Sequence, residues 1–174
     1  MKKVVLVLAV LFFMVGTISA QFQEGKHHAG PSIGLSFLGA SAVQFGANYE
    51  YGMKIDDVPG LIGIGGIFRY WNYDLGFWSY TNIVIGAQGN YHFKVGDGKV
   101  DPYVGITLAY NAGTVSSDGN DYFGSLLGNS VTNGGIWFGF QGGARYWFSP
   151  NMAAHARFGV GTGSALDLGI DFKF

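Results

Sequence analysis

The side chains that could do chemistry in this chain recur at alternate positions of short segments. They are Glu50, Arg69, His92, Arg145, His155, Arg157, Asp167 and Asp171, with Gln88 and Gln141 in the same register and Lys54, Lys94 and Lys173 near segment ends. Carboxylates, guanidiniums and imidazoles held together could lock an interior, line a narrow path for solutes, or act as acid and base. The last use has little support. His155 stands in Ala154-His155-Ala156-Arg157, with no serine or asparagine beside it to complete a nucleophilic pair. His27 and His28 are adjacent, and two ligands alone do not make a metal site. Asp118 and Asp121 lie in Ser116-Ser117-Asp118-Gly119-Asn120-Asp121, which lacks the spacing and terminal glutamate of a calcium loop. The absence of cysteine removes thiol catalysis, thiolate metal sites and disulfide scaffolds. No catalytic residue, metal or cofactor is assigned.

Such residues need a frame, and period-two alternation between turn signals supplies one of eight strands. The first runs from about Pro31 to Leu38, with Ile33, Leu35 and Phe37 on one face. The second, about Ala42 to Lys54, sets Val43, Phe45, Ala47, Tyr49, Tyr51 and Met53 against Gln44, Asn48, Glu50 and Lys54. The third covers Leu61 to Tyr73, with Ile62, Ile64, Phe68 and Tyr70 opposite Arg69; an aromatic loop, Asp74 to Thr81, follows. The fourth, Asn82 to Val95, opposes Ile83, Ile85, Ala87, Tyr91 and Phe93 to Gln88, Asn90, His92 and Lys94. Gly96-Asp97-Gly98-Lys99 reads as a hairpin turn. The fifth, Asp101 to Asn111, opposes Val104, Ile106, Leu108 and Tyr110 to Tyr103, Gly105, Thr107 and Ala109. Ala112 to Asn133, rich in serine, asparagine and glycine, reads as a long surface loop. The sixth strand is Gly135 to Phe148, the seventh Met152 to Val160, and the last ends the chain as Leu166-Asp167-Leu168-Gly169-Ile170-Asp171-Phe172-Lys173-Phe174.

The N-terminus carries an address. Lys2 and Lys3 precede an apolar run from Val4 to Val15 and a short exit ending at Ala20, the layout of a secretory signal peptide. The run is shorter than the roughly 20 residues of a membrane-crossing helix. Expected boundaries are therefore a signal peptide at 1–20, a short periplasmic segment at 21–30, and one domain at 31–174. The net charge of −1 falls further when the two lysines leave, and no basic stripe suggests a nucleic-acid partner. Glycine is abundant, 30 of 174 residues against roughly 7% in soluble domains, and aromatics make up 17%.

Which face meets which solvent decides the fold. An eight-stranded cylinder encloses little more room than side chains fill. The bulky faces cannot all fit inside while glycine and alanine look out. Reversed, isoleucine, phenylalanine and tyrosine meet lipid, and small or polar residues fill the interior. Closure also satisfies every strand edge, which hydrocarbon requires. The expectation is an all-β, eight-stranded antiparallel transmembrane barrel, an up-and-down meander of strands long enough to span. An even strand count puts both termini on one side, the periplasm, with Asp56–Gly60, Gly96–Lys99 and Ser149–Asn151 as turns there. The loops at Gly39–Ser41, Asp74–Thr81, Ala112–Asn133 and Gly161–Ser164 then face outward. Tyr49, Tyr51, Tyr70, Tyr91, Phe93, Tyr110, Tyr146 and Phe148 fall near strand ends, as interfacial rings do.

With these features in place, the chain resembles the small bacterial outer-membrane β-barrels of the OmpA-like, OmpX-like group from about Pro31 onward. Leu166, Leu168, Ile170, Phe172 and the final Phe174 are similar to the C-terminal signal read by the outer-membrane assembly machinery. Arg145-Tyr146-Trp147-Phe148-Ser149-Pro150-Asn151 is similar to a strand feeding a periplasmic turn in that group. The resemblance implies residence in the bacterial outer membrane, contact with its lipids and lipopolysaccharide, and passage through periplasmic chaperones and the assembly machinery. It names no activity, since such barrels serve as anchors, adhesins, narrow pores and lipid-modifying enzymes. Neither the His/Ser deacylase pattern nor a polar His/Asp/Ser cluster at the outer rim is matched here. The expectation is a structural or surface-interaction barrel with a largely plugged lumen. A narrow pore and a lipid-modifying enzyme are the alternatives. Phe77, Trp78, Tyr80, Tyr122 and Phe123 are the candidate contacts for an unidentified surface ligand.

Overall fold

The computed structural model describes residues 22–36, 42–76, 78–96, 98–117, 130–161 and 164–174. Its strands are β1 His27–Ser36, β2 Ala42–Met53, β3 Leu61–Leu75, β4 Trp78–His92, β5 Val100–Ser117, β6 Ser130–Ser149, β7 Met152–Val160 and β8 Leu166–Lys173. Each pairs antiparallel with its neighbours, and β1 also pairs with β8, so the sheet closes in sequence order. At the seam His27 and Phe174 exchange both backbone hydrogen bonds, each 3.0 Å. The β1–β8 ladder skips Gly30 and Pro31, where proline has no N–H to contribute.

The alternation read from the sequence decides which side chains turn inward. Along β2, Gln44, Asn48 and Glu50 are buried while Val43, Phe45, Tyr49 and Tyr51 are exposed. Along β5, Tyr103 and Thr107 are buried and Val104, Ile106 and Leu108 exposed. The inversion is complete at its extremes: Ile136 is 77% and Val160 79% exposed, whereas Glu50 and Arg69 are 0%. Leaving each large apolar side chain in water would forgo about 1.5–3 kcal/mol. A belt of them around the cylinder is stable only where the medium is hydrocarbon. The chain is a transmembrane β-barrel.

Several strand boundaries differ from the sequence reading. β5 continues to Ser117 and β6 begins at Ser130, so residues 112–117 and 130–133 are strand, not loop. Their pairs include Thr114↔Thr132 and Ser116↔Ser130. The expected aromatic loop 74–81 is mostly a hairpin as well, with Tyr73↔Tyr80 and Leu75↔Trp78 around Gly76 at φ 63°. Above the lipid both sheet faces meet water, so the alternation fades while backbone pairing persists. β1 starts at His27, with His28 paired to Glu50 and to Lys173, which places residues 27–30 in the sheet rather than ahead of it. Two polar histidines had hidden that extension. The outcome is a lopsided wall. β5 and β6 have 18 and 20 residues against 9 and 8 in β7 and β8, so the β3–β6 side stands highest at the end away from the termini.

Candidate functional site

The barrel interior holds one continuous polar network built from inward positions of β2 to β8. Arg145 on β6 lies at its centre. Its Nε donates to Asp171 of β8 at 2.6 Å, Nη1 reaches Asp101 of β5 at 3.5 Å, and Nη2 donates to Glu50 of β2. His155 Nδ1 lies 3.0 Å from Asp171, and His92 Nδ1 2.9 Å from Asp101. A second node is Asp167, whose Oδ2 accepts from Arg157 at 2.7 Å and Ser164 at 3.1 Å and pairs with Arg69 at 2.8 Å. Amides join the two. Gln141 Nε2 donates to Gln88 at 3.0 Å and to Asn90 at 2.6 Å, while Asn90 donates to Glu50. Arg69 further donates to the backbone oxygens of Ala47 and Phe68, at 3.0 and 2.6 Å. Buried charges are tolerated only when paired in this manner. Asn48, Gln88, Asn90, Tyr103, Arg145, His155, Arg157 and Asp171 line the small gap left between these groups.

The residues singled out in the sequence, Glu50, Arg69, Gln88, His92, Gln141, Arg145, His155, Arg157, Asp167 and Asp171, are all buried and point inward. Lys54 and Lys94 are not: they lie beyond the ends of β2 and β4, exposed, where the chain leaves the wall and strand parity no longer directs a side chain. Asp101 and His28 were missed, though parity carried one step past Tyr103 and two past Gly30 would have placed them inward. Phe22 was also missed, and no alternation could have found it, because it precedes the sheet. Gly25 N–H donates to Gly52 O at 2.8 Å and Gly52 N–H to Lys26 O at 2.9 Å, folding the segment back over the mouth. There the Phe22 ring stacks on His92 at 3.7 Å and on His28 at 4.3 Å, with the Arg145 guanidinium 5.4 Å from its centroid.

His155 faces carboxylates at both nitrogens, Asp171 at 3.0 Å and Asp167 at 3.6 Å, so no hydroxyl is placed for activation. Among the described residues no group of three or more His, Cys, Asp or Glu could hold a metal. Toward the opposite end, Ile67, Trp71, Val84 and Ala109 form an apolar cluster on which Tyr73 and Trp137 pack. Above it opens a cup of about 300 Å³. Of the expected rim residues, Tyr80 lines this cup, stacked on Tyr73 at 5.0 Å and 7°, and Trp78 is exposed at the start of β4. Phe77, Tyr122 and Phe123 lie outside the described residues. In the C-terminal strand, Leu168, Phe172 and Phe174 are exposed on the outer surface, with Leu166 and Ile170 half-buried.

No family model matches the chain, and no curated protein matches it. Solved structures do. The N-terminal β-barrel domain of Pseudomonas aeruginosa OprF superposes with a TM-score of 0.59 at 19% identity, over 87% of this chain and 98% of that one. The fold is that of the eight-stranded outer-membrane barrels. The attachment invasion locus protein Ail of Yersinia pestis gives a TM-score of 0.55 at 14% identity, covering 87% of this chain and all of Ail. A de novo designed transmembrane β-barrel gives 0.57 at 17%, over 88% and 99%. A design and natural proteins share the architecture equally well, so the likeness speaks for fold alone.

Proposed function

We propose that the protein is an outer-membrane barrel displayed at the cell surface, with an interior closed by its own side chains and a role in structure or surface interaction rather than catalysis or transport. The observation that carries the reading is the Arg145 layer, which ties β2, β5, β6 and β8 across the lumen. Phe22 covers the same layer from the side of the termini. The fold neighbours support the outer membrane as the compartment. In that setting the termini face the periplasm, the taller β3–β6 wall faces out, and lipids with lipopolysaccharide surround the belt. Leu166, Leu168, Ile170, Phe172 and Phe174 serve as the assembly signal for periplasmic chaperones and the assembly machinery. The N-terminal segment 1–20, outside the described residues, directs export.

Two measurements test the reading. Asp74 is exposed at the tall end of β3, and the chain has no cysteine to interfere. Asp74→Cys in intact cells is therefore expected to react with a membrane-impermeant maleimide; reaction only after cell lysis would reverse the orientation. Liposomes containing the purified protein are expected to retain a small neutral solute as well as empty liposomes do. Release of that solute would favour a pore.

A further inference from the structure

The cup at the tall end differs chemically from the lumen beneath it. Tyr73 of β3, Tyr80 and Asn82 of β4, Asn111 of β5, and Asn133 and Trp137 of β6 line it, and among the described residues no Asp, Glu, Lys or Arg does. The apolar cluster of Ile67, Trp71, Val84 and Ala109 lies beneath it, on the side of the charged network. Its volume of about 300 Å³ sits at the small end of ligand sites, which run from ~300 to 1,000 Å³. Stacked Tyr73 and Tyr80 make a flat aromatic flank, and Trp137, 6.5 Å from Trp71, makes another on the far strand. Between them the Oδ1 of Asn111 is buried without a hydrogen-bond partner. An acceptor left so loses about 1–3 kcal/mol relative to one that is paired, unless a ligand donates to it.

From this arrangement we infer that the cup is a binding site for one or two rings of a neutral saccharide. A pyranose has weakly polar C–H faces that pack on aromatic rings, and equatorial hydroxyls that both donate and accept, as asparagine side chains do. Three amides and three aromatic rings around one small cavity match those needs. The lack of a cationic side chain disfavours sulfated or phosphorylated sugars, which would be desolvated without a counter-charge. The site rests on the outward orientation proposed above for its access to glycans, which come from neighbouring lipopolysaccharide or from another cell.

The test uses the full mature protein refolded in lauryldimethylamine oxide, since sugar-headed detergents would compete. Tryptophan fluorescence and calorimetry follow titration with lactose, chitobiose, neutral core oligosaccharide released from lipopolysaccharide, and sucrose octasulfate. Saturable binding of at least one neutral probe with a dissociation constant on the order of 1 mM or tighter is expected. The core oligosaccharide winning would assign a lipopolysaccharide source, and lactose or chitobiose winning a foreign glycan. Asn111→Leu, and separately Tyr80→Ala, should weaken binding about tenfold or more while heat-modifiable gel migration stays that of a folded barrel. Binding of the sulfated probe alone, binding of none, or unchanged affinity in both variants would overturn the inference. Because the titration uses purified protein, its outcome is independent of the Asp74→Cys labelling that tests orientation.

Discussion

Arg145 has three carboxylates around one guanidinium, and its loss would leave Glu50, Asp101 and Asp171 buried together. Breaking a buried pair by removing one partner costs about 3–5 kcal/mol. Arg145→Ala is expected to lower the unfolding free energy by that amount, read from urea titration of the barrel in lipid vesicles. A loss below about 1 kcal/mol, the range of exposed pairs, would mean water already screens the site. Phe22 makes a different kind of contact, since its segment can peel away without opening the sheet. Phe22→Ala should cost only about 1–2 kcal/mol, the scale of aromatic stacking. It should also make His92 react faster with diethylpyrocarbonate, measured by mass spectrometry; an unchanged rate would place the guard elsewhere. Inward polar residues such as Glu50 and Arg157 were legible because each strand's parity turns them as a set. Arg157 and Asp167, on adjacent strands, are legible as a pair in the same way, and Arg69, Arg145 and Glu50 as members of one network across the lumen. The contacts of Arg145 with Asp101 and Asp171 were not, because they depend on stagger between strands that lie far apart in sequence.

At the scale of elements, legibility followed the medium. Strands crossing hydrocarbon showed their alternation, and β7 was bounded in the sequence at the same residues as in the structure, Met152–Val160. The upper arms of β5 and β6 did not, because water on both faces removes the need for an apolar set. The seam between β1 and β8 depends on close backbone approach at Gly30. A Cβ there would run into the carbonyl oxygen of Ile170, beside the ladder gap at Pro31. Gly89 on β4 faces open space. Gly30→Ala should therefore cut the folded fraction on heat-modifiability gels severalfold, while Gly89→Ala folds like the parent. Equal folding of the two would show that the seam can yield.

The whole molecule is a cylinder with two unlike ends: Phe22 stacked on histidines at the mouth by the termini, a charged cross-tie about Arg145, an apolar cluster, and a cup in the taller wall whose described lining carries no charge. Fold class and polar lining could be read from alternation and glycine content. The cup could not, since its residues come from four strands, and those from β4, β5 and β6 lie partly in segments that resembled loops. Sealing is the claim on which the functional reading turns. Single-channel recording of the purified wild-type protein in planar bilayers tests it most directly: the closed network predicts a quiet baseline across applied voltage, and stable, reproducible conductance steps of one size would contradict it.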